Sequence, residues 1–275
     1  MRFLLALLCG PAFLIAPAVW ASPMALFRTP LGDIEVELYD ASKPATVANF
    51  IKYVESGAYT TNMFIHRWEP NFVIQGGGFY TADRHTTNAG IAAIPTFPPV
   101  TNEYSVGRIF SNTYGTIAMA RASGQTNSAT SQWFFNLKDN SGLDKVDGGF
   151  TVFGRVLRGT NVLNRFLGGE ASKGIYTVDI GGALTTLPVL SSTPGLEDLV
   201  YVDITLLDVR IASQPAGAQT ISWQSVSNKL NRVEFTTRMP PVWTELASTN
   251  GTGQLMQVTD PVVDPNRFYR VRVDY

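Results

Sequence analysis

Cysteine and histidine are almost missing from this chain: one Cys and two His occur in 275 residues. A lone thiol cannot close an internal disulfide, and two imidazoles cannot furnish a His-rich metal centre. Charge is also scarce. Asp, Glu, Lys and Arg make up 16% of the residues, 21 basic against 22 acidic, for a formal net charge of −1. No basic block stands out, so the chain lacks the counterion-displacing surface of a nucleic-acid binder. With 45% hydrophobic residues it is not a disordered tail either. Length alone admits one large domain or two small ones. No Walker loop, His-Glu-x-x-His or Gly-x-Ser-x-Gly is present. Gly76-Gly77-Gly78 follows a strand-like run without a following helix at dinucleotide spacing, and reads as a tight turn or bulge. Taken singly, His66 and His85 read as structural residues.

The first 21 residues are of a different kind. Arg2 precedes an apolar run from Phe3, broken by Gly10, Pro11 and Pro17 and ending in small residues at Ala21. That is the pattern of a cleavable signal peptide. The alternative is a membrane anchor, since about 18 apolar residues just span a bilayer; two prolines and the small-residue end favour cleavage. Cys9 follows Leu7-Leu8 rather than the small residue a lipid-modified cysteine needs, so it counts as an apolar residue of the leader. The expected mature chain is cysteine-free, periplasmic or secreted, and has no stable membrane span.

Beyond Met24 the pattern is short strands. Ile34, Val36 and Leu38 alternate with Asp33, Glu35 and Glu37, the period-two signature of a half-buried strand. Pro44 suits a first helical position. Val47, Phe50, Ile51 and Val54 then recur at helical spacing until Gly57. Further strands are expected at Met63–Arg67, Phe72–Gln75, Thr116–Ala120, Gln132–Leu137, Thr151–Val156 and Leu199–Leu207, with a second helix at Asn161–Phe166 and long loops over Thr81–Ser111. Many strands and two helices suggest a closed barrel capped by helices. Ala212–Ala218 reads as a linker. Five alternating segments after it (Thr220–Gln224, Val233–Thr236, Val242–Leu246, Leu255–Thr259, Phe268–Val273) suggest a small β-sandwich. Its Trp223, Trp243 and Tyr269 form either a ligand or sugar face or a small core, the core being favoured. Units of 25–211 and 219–275 follow a leader of 1–21.

Two segments carry more. Phe64-Ile65-His66-Arg67-Trp68-Glu69-Pro70-Asn71-Phe72-Val73-Ile74-Gln75-Gly76-Gly77-Gly78-Phe79 resembles the signature of the cyclophilins, the peptidyl-prolyl cis-trans isomerases. Asn112–Arg121, Asn127–Asn136 and Phe150–Gly154 match the same family in order and approximate spacing, most closely its bacterial members. The resemblance covers about residues 25–210. It implies a mainly β fold, an eight-stranded closed antiparallel barrel capped by two helices, here followed by the small sandwich. It implies an isomerase acting on proline-containing polypeptides with no cofactor or metal. The rival function is a barrel that only binds proline peptides or presents the C-terminal unit at a surface.

The resemblance assigns the site residue by residue. Arg67 falls at the arginine that hydrogen-bonds near the prolyl nitrogen, and Gln75 at the glutamine that orders it. Phe72, Phe134 and Leu143 fall at the proline pocket, with Val73 where methionine is frequent. Ala120, Arg121 and Gln132 match positions that grip the peptide backbone. As residues alone, Phe72 and Phe134 read equally well as core. Four departures stand out. Phe150 replaces the usual His or Tyr, Gly142 stands where many eukaryotic members have the tryptophan that supports cyclosporin binding, Gly78 replaces a frequent aspartate, and Trp133 a frequent phenylalanine. Weak cyclosporin affinity with catalysis retained is the expectation, and an altered loop between Arg121 and Gln132 leaves the placement of Arg121 open. The C-terminal segments around Ile221-Ser222-Trp223, Arg232–Thr237 and Phe268–Arg272 resemble small β-modules that end secreted bacterial proteins, with no partner implied.

Overall fold

A computed structural model describes residues 22–274 except 61, 85–89, 169–172, 208, 215–216, 226–228, 253, 263 and 265. The expected leader, Cys9 and His85 lie outside the described residues. No helix among the described residues is long and apolar enough to cross a membrane.

β1 (Met24–Thr29) and β2 (Gly32–Leu38) form a hairpin whose alternation buries Phe27, Ile34, Val36 and Leu38. α1 (Pro44–Glu55) buries Val47, Phe50, Tyr53 and Val54 on one side. Its first turn has no cap from Lys43. Instead the Glu103 carboxylate accepts the Ala45 and Thr46 amides at 3.1 and 2.7 Å, a negative group on free N–H donors at the positive helix end. Buried Lys43 donates to the Glu103, Tyr104 and Val106 carbonyls, which holds the following loop against the helix.

The chain continues through β3 (Arg67–Glu69), β4 (Val73–Gly76), β5 (Phe79–Thr81), β6 (Ile91–Ala93), β7 (Thr116–Met119), β8 (Trp133–Asn136), β9 (Val152–Arg158), α2 (Thr160–Arg165), β10 (Tyr176–Val178), β11 (Leu187–Val189) and β12 (Asp203–Leu206). Eight of these strands form one antiparallel sheet in the order β12-β1-β2-β9-β7-β8-β4-β3. The sheet curls around a core in which Phe27 meets Trp133 and Phe135 edge-on, each at 5.1 Å.

Several expectations need correction. The sheet is an open curl rather than a closed barrel, because its edge strands β12 and β3 do not pair with each other. The segment expected as a strand at Met63–Arg67 forms only bridge contacts there. Ile65 N donates to Val200 O at 2.9 Å and Val202 N to Met63 O at 2.8 Å. The strand proper starts at Arg67, paired with Gln75. The predicted long loop contains β6, paired with β5, and the unforeseen hairpin β10–β11 packs Leu187 and Val189 with Phe64, Leu199 and Tyr201 in a second cluster.

The C-terminal strands are β13 (Val209–Ser213), β14 (Gln219–Gln224), β15 (Leu230–Thr236), β16 (Thr244–Asn250), β17 (Leu255–Asp260) and β18 (Phe268–Asp274). They form two three-stranded antiparallel sheets, β13-β14-β17 and β16-β15-β18, that share one apolar cluster of Ile221, Trp223 and Val233. The expected linker is a hairpin turn: β13 pairs with β14 from Val209↔Trp223 to Ser213↔Gln219. Small residues with a proline and a glycine suit a hairpin connection and a linker alike. β16 likewise starts at Thr244 instead of Val242, which is exposed. Trp223 is buried and Tyr269 packs against the same cluster, whereas Trp243 lies under the Arg270 guanidinium, 4.3 Å from its ring centre, apart from that cluster.

Candidate active site

Alternation along the central strands sorts the core from a second layer. Ile74, Trp133, Phe135, Ile117, Met119 and Phe153 face the inside of the curl. The alternate residues Val73, Phe134, Ala118 and Val152 form a separate cluster on the other face, with Phe72, Ala120, Leu143 and Phe150 packed against it. Cross-strand pairs Arg67↔Gln75, Gln75↔Phe134 and Phe134↔Ala118 carry this face across four strands.

The face holds an open cavity of about 190 Å³. Phe72, Val73, Phe134, Leu143 and Phe150 supply apolar walls, and Arg67, Gln75, Ala120 and Arg121 complete the rim. Nine of the ten residues expected at a site thus border one cavity. The tenth, Gln132, stands behind it and connects through Gln75. Arg67 Nη1 donates to Gln75 Oε1 at 3.3 Å, and Gln75 Nε2 donates to Gln132 Oε1 at 2.7 Å. Phe134 meets Phe150 edge-on at 5.8 Å. Arg121 takes partners within the wall itself. Its Nη2 donates to the Val146 and Gly149 carbonyls at 2.8 and 3.2 Å, and its guanidinium lies 4.2 Å from the Phe150 ring centre.

The glycine run has a packing reason. A Cβ on Gly76 would lie 2.6 Å from the Trp133 ring, and one on Gly78 2.8 Å from His66 Cε1. Trp133 in place of a smaller ring therefore requires glycine at 76. His66 is 2% exposed and its ring lies 5.1 Å from that of Phe79. Burial pushes its pKa down to about 4, so it is neutral near pH 7.

Reading the sequence missed the buried amide network that holds the loop walls. Asn140 Nδ2 donates to Phe72 O and to Asn136 Oδ1, both at 2.8 Å. Asn136 Nδ2 donates to Asn112 Oδ1 at 3.2 Å and Thr116 Oγ1 at 2.9 Å. Asn112 Nδ2 in turn donates to Asp144 Oδ1 at 2.8 Å and Phe150 O at 3.1 Å. Phe72, the turn carrying Leu143, and Phe150 are all tied to this network. Asn112 and Asn140 each adjoin a serine and read as turn residues in sequence, and Asn136 ends an aromatic strand, so nothing local couples the three.

The model of the cyclophilin-type peptidyl-prolyl cis-trans isomerase family matches residues 24–180. The chain belongs to the cyclophilin-type isomerases. It is 42% identical over 154 residues to a peptidyl-prolyl cis-trans isomerase of Acinetobacter baylyi, covering 55% of this chain and 76% of that one. Isomerase A of Dickeya dadantii is 42% identical over 156 residues (56% and 76%), and isomerase B of Escherichia coli 37% over 150 (53% and 84%). A crystal structure of a Cryptosporidium parvum cyclophilin-type isomerase, obtained in the presence of the dipeptide Ala-Pro, aligns with a TM-score of 0.44 at 23% identity, over 67% of this chain and 99% of that one. This cyclophilin is therefore a peptidyl-prolyl isomerase, an enzyme whose chemistry is rotation about one bond.

Proposed function

We propose that the cyclophilin binds the proline of an extended polypeptide in the cavity above β4 and β8, and that Arg67 lowers the rotation barrier. Rotation must break amide resonance, a barrier of roughly 18–20 kcal/mol. The catalyst needs no nucleophile; it must hold the twisted amide better than either planar form. As resonance breaks, the prolyl nitrogen gains lone-pair density. A fixed guanidinium donor aimed at that nitrogen stabilises only the twisted state. Gln75, itself held by Gln132, fixes the Arg67 fork. Phe72, Phe134 and Leu143 form the apolar seat for the ring, and Ala120 and Arg121 border the passing chain. The observation that carries this reading is the placement of the half-exposed Arg67 and its glutamine at the lip of a cavity whose walls, Arg121 apart, are apolar.

The test is isomerisation of a proline tetrapeptide by wild type and Arg67→Ala. Removing a single transition-state donor costs about 10²–10³ in rate, so kcat/KM is expected to fall about 100-fold with the circular dichroism spectrum unchanged. Equal rates refute the assignment. We also infer that the enzyme folds clients outside the cytoplasm after loss of residues 1–21, and that residues from Val209 onward are a separate unit. Mass spectrometry of the chain recovered from a periplasmic fraction is expected to place the N-terminus at Ser22.

A further inference from the structure

Glu69 shares the cavity face of β3 with Arg67. Residues two apart on a strand point to the same side, and Trp68 between them is buried in the core. The register sets Glu69 opposite Val73 just as it sets Arg67 opposite Gln75, so the carboxylate belongs to the face that carries the cavity. Its Oε1 lies 3.4 Å from Arg67 Nη2 and 3.4 Å from Thr186 Oγ1. Among the described residues, Oε2 has no hydrogen-bond donor. The Arg67 and Glu69 side chains are 39% and 36% exposed. Such a pair is weak, about 0–1 kcal/mol, and leaves the carboxylate accessible to another cation. β3 is also the last strand of the sheet, and its outer edge is met at Trp68, whose N donates to Thr186 O at 2.8 Å. A polypeptide leaving the cavity over that edge passes the carboxylate.

We propose that Glu69 is a specificity-determining residue: it directs the isomerase toward X–Pro segments with Lys or Arg next to the proline, and against those with Asp or Glu. The proposal rests on the reading of the Arg67 cavity as the catalytic site. Unit charges about 6 Å apart at a solvated protein surface change binding by about three- to tenfold.

The experiment measures kcat/KM of the full chain by NMR exchange on two peptide series, with Lys, Ala or Glu either immediately before or immediately after the proline. Wild type is expected to prefer Lys over Glu by at least about threefold in one series. The preference should shrink in 0.5 M salt, as expected for a screened exposed charge, where the Debye length is only about 4 Å. Glu69→Gln should remove it, and Glu69→Asp, which keeps the charge, should retain it. The same Lys-to-Glu ratio in wild type and Glu69→Gln overturns the proposal while leaving the Arg67 site standing. Full activity of Arg67→Ala on the same peptides overturns both.

Discussion

Asn136→Asp isolates the amide network that shapes the cavity, because it changes no volume. Asn136 is fully buried, and its Nδ2 makes two of the network's bonds. Neither acceptor can adapt. Asn112 cannot turn its amide over, since its Nδ2 is already held by Asp144 and the Phe150 carbonyl. Thr116 Oγ1 donates to Thr113 O at 2.7 Å, so its proton is committed. The substitution replaces two N–H donors by an oxygen facing two oxygens, at about 1.5 kcal/mol each, or about 3 kcal/mol near neutral pH. For a unit of this size that lowers Tm by about 6–12 °C. Burial and the nearby Asp144 carboxylate oppose ionisation of the introduced carboxyl, raising its folded pKa above the unfolded value of about 3.9. The folded state then binds the extra proton, and the deficit grows as pH rises from about 4 through that folded pKa. At pH 4 the protonated carboxyl restores one donor, and the deficit should roughly halve. Thermal unfolding followed by near-UV circular dichroism at pH 4 and pH 7 reads both values. An equal loss at the two pH values, or no loss at all, refutes the network argument. Isomerase assays on the same variant should show kcat/KM reduced, because Phe72, Leu143 and Phe150 lose their common anchor.

Three further outcomes are expected. His66 has a folded pKa of about 4 against 6.5 unfolded, so its contribution is complete above pH 6.5 and is lost as pH falls toward 4; His66→Gln should flatten that part of the urea-unfolding stability profile by up to about 3 kcal/mol. Gly76→Ala should destabilise by about 2 kcal/mol through overlap with Trp133, and Trp133→Phe in that background should recover part of the lost Tm. A Cβ at Gly142 meets nothing within 4 Å, and its backbone is not left-handed. Gly142→Trp should therefore fold normally and raise cyclosporin affinity about tenfold by calorimetry, the value of one well-placed aromatic contact; unchanged affinity would show that this position does not govern it.

The cavity residues were legible in the sequence through the family resemblance; strand alternation by itself only divides each strand into two faces. In Val73-Ile74-Gln75-Gly76 and Trp133-Phe134-Phe135-Asn136, one set of alternate residues fills the core and the other faces the site. Resemblance, rather than periodicity, decided which set was which, since Phe134 and Phe135 are both apolar. The C-terminal strands were legible by their alternation, but β13 was not: it pairs with β14 across a stretch whose composition suits a flexible joint equally well. Trp243 and Trp223 are equivalent in sequence and part company only in the fold.

What the sequence by itself determined is local: the period-two patterning, the helix opened by Pro44, and the order of motif residues that names the family. What only the tertiary structure decided lies in contacts between distant segments. The openness of the sheet depends on whether Met63–Ile65 pairs as a strand with Val200–Val202, some 135 positions away. Glu103 caps α1 from a loop, Asn112, Asn136 and Asn140 form one network, and Glu69 becomes a neighbour of the cavity because β3 pairs with β4 in one register. Hydrogen bonds and charge pairs act over a few ångströms, so residues far apart in the chain acquire these roles only when the curl of the sheet brings them together.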